Sequence, residues 1–408
     1  MRSLELCDAL LAPALRGGTF CIDVTSPLLR RLALRARISS HVAAAGAPSS
    51  AARAHRVTEA PSLVRRSLLA LLIAMIAGGF VWFTHRSMMQ ESLSPDSLAL
   101  WRGARIVLDG GNPYDVATWH TMPAGDSDPE AWREAIEPLY YPLPALIVWA
   151  PFALGSFLAG SIAFCSLGAF ACAFALSRGG LHRVWLCGGV PFIVALRFGQ
   201  WSTWLVAAAA LPLLGFLLPA KPNLGLPLFL ARPSRVATAS AFALVAVSMM
   251  VMPSWPVAWY AAITGPFRET VPHPMPVTQF AGAGVLLLLA LLRWRRPEGR
   301  LIALMACVPQ LPFWADQLPL ATVAESRREV IWSVVAGHIA FLAWFAFARK
   351  VEMYVPVMAP YALAGTYLPA LFMVLRRPNV GPVPGWLERQ VGLLPTWLRG
   401  DAPPTLRA

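Results

Sequence analysis

The chain has 408 residues, of which 57% are hydrophobic and 13% are charged, whereas an average soluble domain is about 45–50% apolar and about 25% charged. So little charge cannot coat a water-soluble globule, which excludes an ordinary soluble domain. The formal net charge of +13 comes mainly from arginines in short segments between apolar runs, a pattern that orients a membrane protein. We therefore expect the basic residues to lie beside a lipid bilayer, and we expect no nucleic acid as a partner.

Residues 1–62 differ from the rest of the chain. They are rich in alanine and arginine, and their apolar patches are too short to cross a bilayer. We expect a basic, disordered N-terminal tail, or a start assigned too early. A short amphipathic turn at Arg30–Arg37, bound to an anionic membrane surface, is the alternative.

The first membrane span is predicted at Leu63–Phe83, an apolar run with Arg65 and Arg66 near its beginning. Basic residues mark the cytoplasmic end of a span. The sequence therefore predicts a cytoplasmic N-terminus, and Trp82 would lie at the outer interface.

A long polar segment, residues 84–139, follows this span. It holds nine acidic and four basic residues, a net charge of −5 in a chain whose net charge is +13. Because loops on the cytoplasmic side carry an excess of basic residues, we predict that this segment is a large external loop.

Apolar stretches continue beyond the loop to about residue 375, and prolines interrupt several of them. At about 20 residues for each pass, we expect about 9–12 spans. The sequence therefore predicts an all-α, polytopic transmembrane helical bundle over residues 63–376. Residues 377–408 are predicted to be a cytoplasmic or disordered C-terminal tail.

The external loop contains the pattern of a short helix. Asp96 follows a proline and precedes a helical repeat of apolar residues, so it is placed to cap a helix over about residues 97–108, which Gly110 and Gly111 would end. Apolar side chains fall on one side of this helix, so it could lie in the membrane interface with that side down.

Two interpretations of Asp96 follow from the sequence. The simpler one is a helix cap with no further role, because aspartate is a preferred capping residue in any protein. The functional one is a general base: a carboxylate at the start of an interfacial helix could accept a proton from a hydroxyl that attacks a sugar carbon.

Five short motifs occur in order between residues 63 and 375. They are Asp96 with Leu100-Trp101 and Ala104, then Gly110-Gly111-Asn112-Pro113-Tyr114, then Tyr140-Tyr141-Pro142-Leu143-Pro144, then Gly199-Gln200 with a following Lys221-Pro222, and finally Asp316 in a late turn. In this the chain resembles the bacterial polyprenol-phosphate-sugar-dependent glycosyltransferases of family 87, which have the GT-C fold. It departs from their pattern at Leu143, where the family has a proline, and at Leu100, where the family often has a tyrosine.

The resemblance implies a GT-C-like enzyme of a bacterial inner membrane, with its active site on the external face. Its donor would be a hexose, often mannose, on a polyprenyl phosphate, and its acceptor a lipid or a glycan. The acceptor hydroxyl, activated by Asp96, would displace the lipid phosphate with inversion at the anomeric carbon. No cofactor would be required.

Substrate-binding candidates come from the same motifs and from charged residues near them. Arginine suits bidentate phosphate binding, which singles out Arg102, Arg105 and Arg197, the last inside an apolar stretch. Lys221 is a further candidate for the positive charge at the phosphate, but a cytoplasmic topology anchor is the favoured interpretation of it. The motif residues and a histidine in a proline-rich connection complete the predicted site: Asn112, Tyr114, Tyr141, Gln200, His273 and Asp316.

A metal site and two rival functions were weighed against this prediction. Asp126-Ser127-Asp128 matches the DxD pattern of metal-dependent transferases, but three-residue matches are common in acidic loops, and no histidine pair has ligand spacing. We therefore predict no metal. A secondary transporter or flippase remains the alternative function, and a non-enzymatic membrane scaffold is the second rival.

Overall fold

A computed structural model describes residues 62–90, 95–121, 139–264, 276–279, 284–310, 313–348, 355–383, 385–393, 395 and 399. Most of the predicted N-terminal tail, 1–62, lies outside these residues. So do Asp126, Asp128 and His273, and the interpretations placed on them stay predictions.

The described residues are helical and form no β-sheet. In chain order the helices of the first half are α1 Leu63–Gln90, α2 Ser97–Leu108, α3 Val116–Thr121, α4 Leu143–Trp149, α5 Phe157–Leu176, α6 Val190–Phe198, α7 Ser202–Ala210 and α8 Pro222–Ala231. Those of the second half are α9 Arg235–Val251, α10 Trp255–Thr264, α11 Pro297–Cys307, α12 Leu318–Ala321, α13 Arg327–Phe347, α14 Val355–Ala362, α15 Leu368–Leu375 and α16 Gly385–Val391. The all-α prediction is confirmed for this part of the chain.

Fewer helices than expected are long enough to cross a membrane. Within the described ranges, four apolar helical segments have this length, at Leu63–Met89, Phe157–Gly179, Arg327–Phe347 and Val357–Leu375, and the number rises to six if two bent helix pairs each count as one span. Prolines and tight 3₁₀ turns explain the difference from about 9–12. They divide the apolar runs into short pieces such as Pro212–Ala220 and Gly284–Arg293.

Small residues bring the long helices of the bundle together. Helix α1 packs along α5, and α5 packs against α7. A Cβ on Gly78 would lie 2.8 Å from the Ser166 hydroxyl, and one on Gly168 would lie 2.7 Å from Thr203 Oγ1. Helices in membranes associate through such small residues because lipid supplies no hydrophobic force between them.

One side of α1 carries large apolar side chains that no other part of the described protein covers. Leu68, Met75, Ile76 and Phe83 are all exposed by more than half of their surface. A soluble protein rarely exposes a contiguous apolar patch of this kind. This surface is suited to contact with lipid, which supports a membrane-embedded protein.

The first polar loop begins later than predicted and is packed differently. Helix α1 continues beyond Phe83 to Gln90. Helix α2 has the predicted bounds, but it packs against α4 and the turn that follows α4, and its Leu98, Leu100 and Ile106 are buried. The apolar residues of α2 are therefore used for packing inside the protein, which contradicts an interfacial helix with one free apolar side.

Arginines from distant parts of the sequence gather at one end of the bundle, which we call the arginine end. Arg377 donates to the carboxylates of Glu325 (2.9 Å) and Glu329 (2.8 Å), and Arg296 also pairs with Glu325 at 2.7 Å. The arginine end further contains Arg66, Arg178, Arg183, Arg232, Arg293, Arg295 and Arg300, each bonded to a neighbouring segment.

The described part of the C-terminal tail is folded onto this end. Helix α16 follows Arg377, and its Glu388 accepts two hydrogen bonds from Arg295, at 2.8 and 3.1 Å. Asn379 accepts a further bond from the backbone N–H of Arg295 at 3.0 Å. Residues 377–383 and 385–393 are therefore held against the bundle, and the prediction of a cytoplasmic or disordered tail stays a prediction.

Candidate functional site

Asp96 stands at the predicted start of α2, but it does not cap the helix. Its backbone is itself helical (φ −58°, ψ −23°) and its side chain makes no capping hydrogen bond. The carboxylate instead accepts a hydrogen bond at Oδ2 from the side-chain amide of Gln200. The cap interpretation is therefore wrong: a long-range partner takes the group that a cap would use.

A tight turn after α6 brings Gln200 to this carboxylate. The N–H of Gly199 bonds to the carbonyl of Leu196 (3.2 Å) and that of Gln200 bonds to Ala195 (2.8 Å), the Schellman arrangement in which glycine takes a left-handed backbone. Gly199 has φ +63°, and a Cβ there would lie 2.4 Å from the Cβ of Ser97. Only glycine lets the two helix ends meet this closely.

The Gln200 amide joins Asp96 to a lysine. Its oxygen accepts a hydrogen bond from Lys221 Nζ at 2.8 Å, while its nitrogen donates to Asp96. The two partners fix this orientation, because the amide N–H₂ can only donate to the carboxylate and the amide oxygen can only accept from the ammonium. Gln200 is itself buried, so the three groups are held in a fixed order.

Lys221 is also ion-paired with Asp316, with Nζ 2.6 Å from Oδ1 and side chains that are 12% and 7% exposed. Lys221 precedes α8, and Asp316 lies in a 3₁₀ turn before α12. This differs from the expected cytoplasmic anchor, since Lys221 belongs to the same group of side chains as Asp96. We call Asp96, Gln200, Lys221 and Asp316 the Asp96 cluster.

Tyrosines from two predicted motifs support the cluster. The Tyr114 hydroxyl donates to the backbone carbonyl of Tyr141 at 3.1 Å, and the Asn112 side chain accepts the N–H of Tyr114 at 3.0 Å. The Tyr141 hydroxyl lies 3.5 Å from the Gln200 amide oxygen. Burial raises the pKa of Tyr141 well above its ordinary value, so this phenol stays protonated and acts as a donor.

The environment of Asp96 suits proton transfer near neutral pH. Burial of the carboxylate, opposed by the nearby Lys221 ammonium, raises its pKa from 3.8 to about 6. The residue nevertheless keeps an exposed surface. Protein atoms around the carboxylate favour its neutral form, while the exposed part of the residue stays in contact with water.

Three predicted arginines lie elsewhere, and the cluster described above is built without them. Arg102 is buried, with its guanidinium 5.4 Å from the centre of the Trp119 ring. Arg105 donates to the carbonyl of Ala153 at 3.3 Å, and Arg197 is exposed beside Phe198. Their observed contacts are those of residues that hold α2 and α6 in the fold.

Sequence reasoning considered Lys221 for phosphate binding but favoured a topology anchor, although one signal pointed to the site. The chain has only two lysines, Lys221 and Lys350, among 34 basic residues. A lysine in a chain that otherwise uses arginine offers a compact point charge in place of a planar fork. In the described part of the chain, no three His, Cys, Asp or Glu side chains are grouped to hold a metal ion.

Comparisons with known proteins returned no match to a protein-family model, to a curated protein or to a solved structure. The function is therefore argued from the geometry of the Asp96 cluster.

Proposed function

We propose that the chain is an integral membrane glycosyltransferase that moves a hexose, such as mannose, from a polyprenyl phosphate to a hydroxyl of a lipid or glycan acceptor. The supporting observation is an exposed carboxylate whose pKa is raised to about 6 and which is held by an amide in place of capping its helix. A general base works best when its pKa lies near the working pH.

Asp96 is the base in this proposal. Among the described residues, only its Oδ2 takes a hydrogen bond, which leaves Oδ1 for the acceptor hydroxyl. The hydroxyl proton passes to the carboxylate as the oxygen attacks the anomeric carbon. The bond from that carbon to the phosphate oxygen breaks, polyprenyl phosphate leaves with the electron pair, and the configuration inverts.

Lys221 supplies positive charge beside the base. Its ammonium is held between the Gln200 amide oxygen and Asp316, so it is fixed before substrate binds. Preorganised positive charge stabilises the charge that develops on a leaving phosphate. Asp316 and Gln200 orient this ammonium, and the tyrosine scaffold fixes Gln200.

The charge pattern suggests an orientation. The arginine end is expected on the cytoplasmic side of the membrane by the positive-inside rule. Lys221 and Arg232 flank the two ends of α8. Because Arg232 belongs to the arginine end, the Asp96 cluster at the Lys221 end would lie away from the cytoplasm. This agrees with the expected cytoplasmic N-terminus, because Arg66 in the first turns of α1 belongs to the arginine end.

The test is a transfer assay on purified protein with a panel of polyprenyl-phosphate sugars, in which release of free polyprenyl phosphate is measured. We expect Asp96→Asn to lower the transfer rate by about 10²–10⁴-fold, the usual contribution of a general base. The matched control is Asp109→Asn in the exposed turn after α2, which should leave the rate unchanged. Near wild-type transfer by Asp96→Asn would remove Asp96 from the mechanism.

A second candidate, a proton-coupled transporter or flippase, is favoured by one observation. The Asp96 cluster places two carboxylates and an ammonium in contact through one amide, and ionisable groups within membrane proteins often form proton relays. The transfer assay in detergent separates the two functions. A glycosyltransferase forms a new glycosidic bond and releases polyprenyl phosphate there, whereas a transporter forms no such bond and has no second compartment to fill.

A further inference from the structure

A separate cavity lies at the arginine end, at the opposite end of α8 from Lys221. Its volume is about 60 Å³. Since one water requires about 10–15 Å³ on this measure, the space accommodates about five small heavy atoms, the size of a phosphate group. Most of its wall is apolar, from residues such as Ala175, Leu176 and Leu228, and its charged lining residues are Arg183, Arg232 and Glu298.

The charges around this cavity are mainly positive. Arg183 and Arg232 line it together with a single acid, Glu298, which accepts a hydrogen bond from Arg232 at 2.7 Å. Two more arginines bond to carbonyls of lining residues: Arg178 to Ala210 at 2.8 Å and Arg300 to Ala231 at 2.8 Å. The cavity wall therefore carries two arginines and one carboxylate, and two further arginines bond to its backbone, which gives the site an excess of positive charge for an anion.

Arg183 is fixed in place with an unused donor. Its Nη2 donates to the carbonyl of Thr322, and its side chain lies so close over Gly179 that a Cβ there would be 2.6 Å from Nη1. The Nε of Arg183 is buried and has no hydrogen-bond partner among the described residues. A buried donor without an acceptor is costly, and Arg183 would relieve that cost by turning its guanidinium toward an anion in the cavity.

We propose that this cavity binds the phosphate of an anionic phospholipid taken from the surrounding membrane. Guanidinium groups match phosphate oxygens in geometry and charge. The cavity has room for the phosphate alone, so the glycerol and acyl chains of the lipid would lie outside it, against the apolar surface of the bundle. The arginine end is also expected at the cytoplasmic leaflet, where anionic lipids attract basic residues.

The experiment is a titration of the full-length protein in neutral detergent with phosphatidylglycerol, in which bound lipid is counted by native mass spectrometry and phosphatidylcholine is the neutral reference. We expect tighter retention of phosphatidylglycerol than of phosphatidylcholine. The double variant Arg183→Gln, Arg232→Gln should bind phosphatidylglycerol at least about tenfold more weakly, because two charge-assisted contacts are lost.

The matched control is Arg235→Gln, which removes an equal charge from an exposed arginine near Arg232 that does not line the cavity. Its affinity should stay within about twofold of the wild type. If the double variant does not fold, Glu298→Gln tests the same site in the other direction. Removal of the only lining carboxylate should strengthen phosphatidylglycerol binding several-fold, because Arg232 then becomes available.

Three outcomes would overturn the proposal. They are equal retention of the two lipids, equal weakening by Arg235→Gln and the double variant, and unchanged affinity in Glu298→Gln. A competition with inorganic phosphate separates the two sources of a phosphate group: millimolar phosphate should leave the lipid bound, and full displacement would assign the cavity to a soluble anion. None of these measurements depends on transfer activity.

Discussion

The Asp96 cluster and the arginine end use charge in opposite ways. In the cluster, two carboxylates share one ammonium, and Asp96 reaches it only through the Gln200 amide. At the arginine end, each of the carboxylates Glu298 and Glu325 contacts two arginines. A carboxylate with several cations is held as an anion, whereas one that lacks its own cation in a desolvated site is ready to take a proton. In the proposed function, the arginine end holds the fold and the Asp96 cluster performs the chemistry.

The largest effect on stability is expected at the Lys221–Asp316 pair. Lys221→Met should lower the free energy of unfolding by about 3–5 kcal/mol, because it leaves a buried carboxylate without its cation. The double variant Lys221→Met, Asp316→Asn should recover most of that loss without recovering transfer. Denaturation in detergent and the transfer assay measure the two quantities. Recovery of both would show that the ammonium only stabilises the fold.

A smaller loss is expected when the turn between α6 and α7 is disturbed. Gly199→Ala adds a Cβ that meets Ser97 and forces a non-glycine residue to φ +63°, which together should cost about 2–4 kcal/mol. Gly188→Ala is the matched control, since a Cβ there meets nothing within 4 Å. Thermal unfolding of both variants checks this, and equal midpoints would contradict the close contact of α2 with the turn.

At the arginine end, a change should affect stability without affecting chemistry. Arg377→Gln removes its ion pairs with Glu325 and Glu329, and because Glu325 is 48% exposed we expect a loss of only about 1 kcal/mol. The rate of transfer by the folded protein should be unchanged. Arg328→Gln, at an exposed position of α13, is the control. A loss of transfer without a loss of stability would show that the arginine end takes part in catalysis.

The smallest effect is a dependence of stability on pH at Asp96. Since its pKa is raised from 3.8 to about 6, the folded protein binds this proton more tightly than the unfolded chain, and stability falls as pH rises between these values. Asp96→Asn should therefore stabilise the protein at pH 8 by up to about 1 kcal/mol, after allowance for solvent screening at an exposed group. The difference should vanish at pH 4.

The transfer rate should follow the same titration in the opposite sense. The base must be ionised, so the rate should rise with pH through about 6 and then level. A pH profile between 4.5 and 8 measures this with the release assay. A rate independent of pH over that range would contradict proton transfer to Asp96.

Features set by neighbouring residues could be predicted from the sequence, and those set by distant ones could not. The bounds of α2 follow from the proline before Asp96 and from Gly110, whose φ of +77° ends the helix. The role of Asp96 was misjudged as a possible cap because its partner, Gln200, lies 104 residues away. Lys221 was interpreted as an anchor for the same reason, since its ion pair spans 95 residues.

The predicted number of membrane spans exceeds the number found in the described residues for a related physical reason. Hydropathy counts apolar residues in a window, but a helix crosses a membrane only if its backbone continues without a break. Bends of 58° between Leu181–Gly188 and α6, and of 92° between α9 and α10, depend on where the pieces pack. Composition indicates that the chain lies in lipid, but the packing of the helical pieces decides how many times it crosses the membrane.

Helix α8 sets the distance along the bundle between Lys221 of the Asp96 cluster and the arginine end. Ten residues from Pro222 to Ala231 rise about 15 Å, which is half of a hydrocarbon layer about 30 Å thick. The two charged ends of α8 are therefore closer together than the two faces of a bilayer. In the proposed transfer reaction, donor and acceptor would meet the Lys221 ammonium below the outer surface of the membrane.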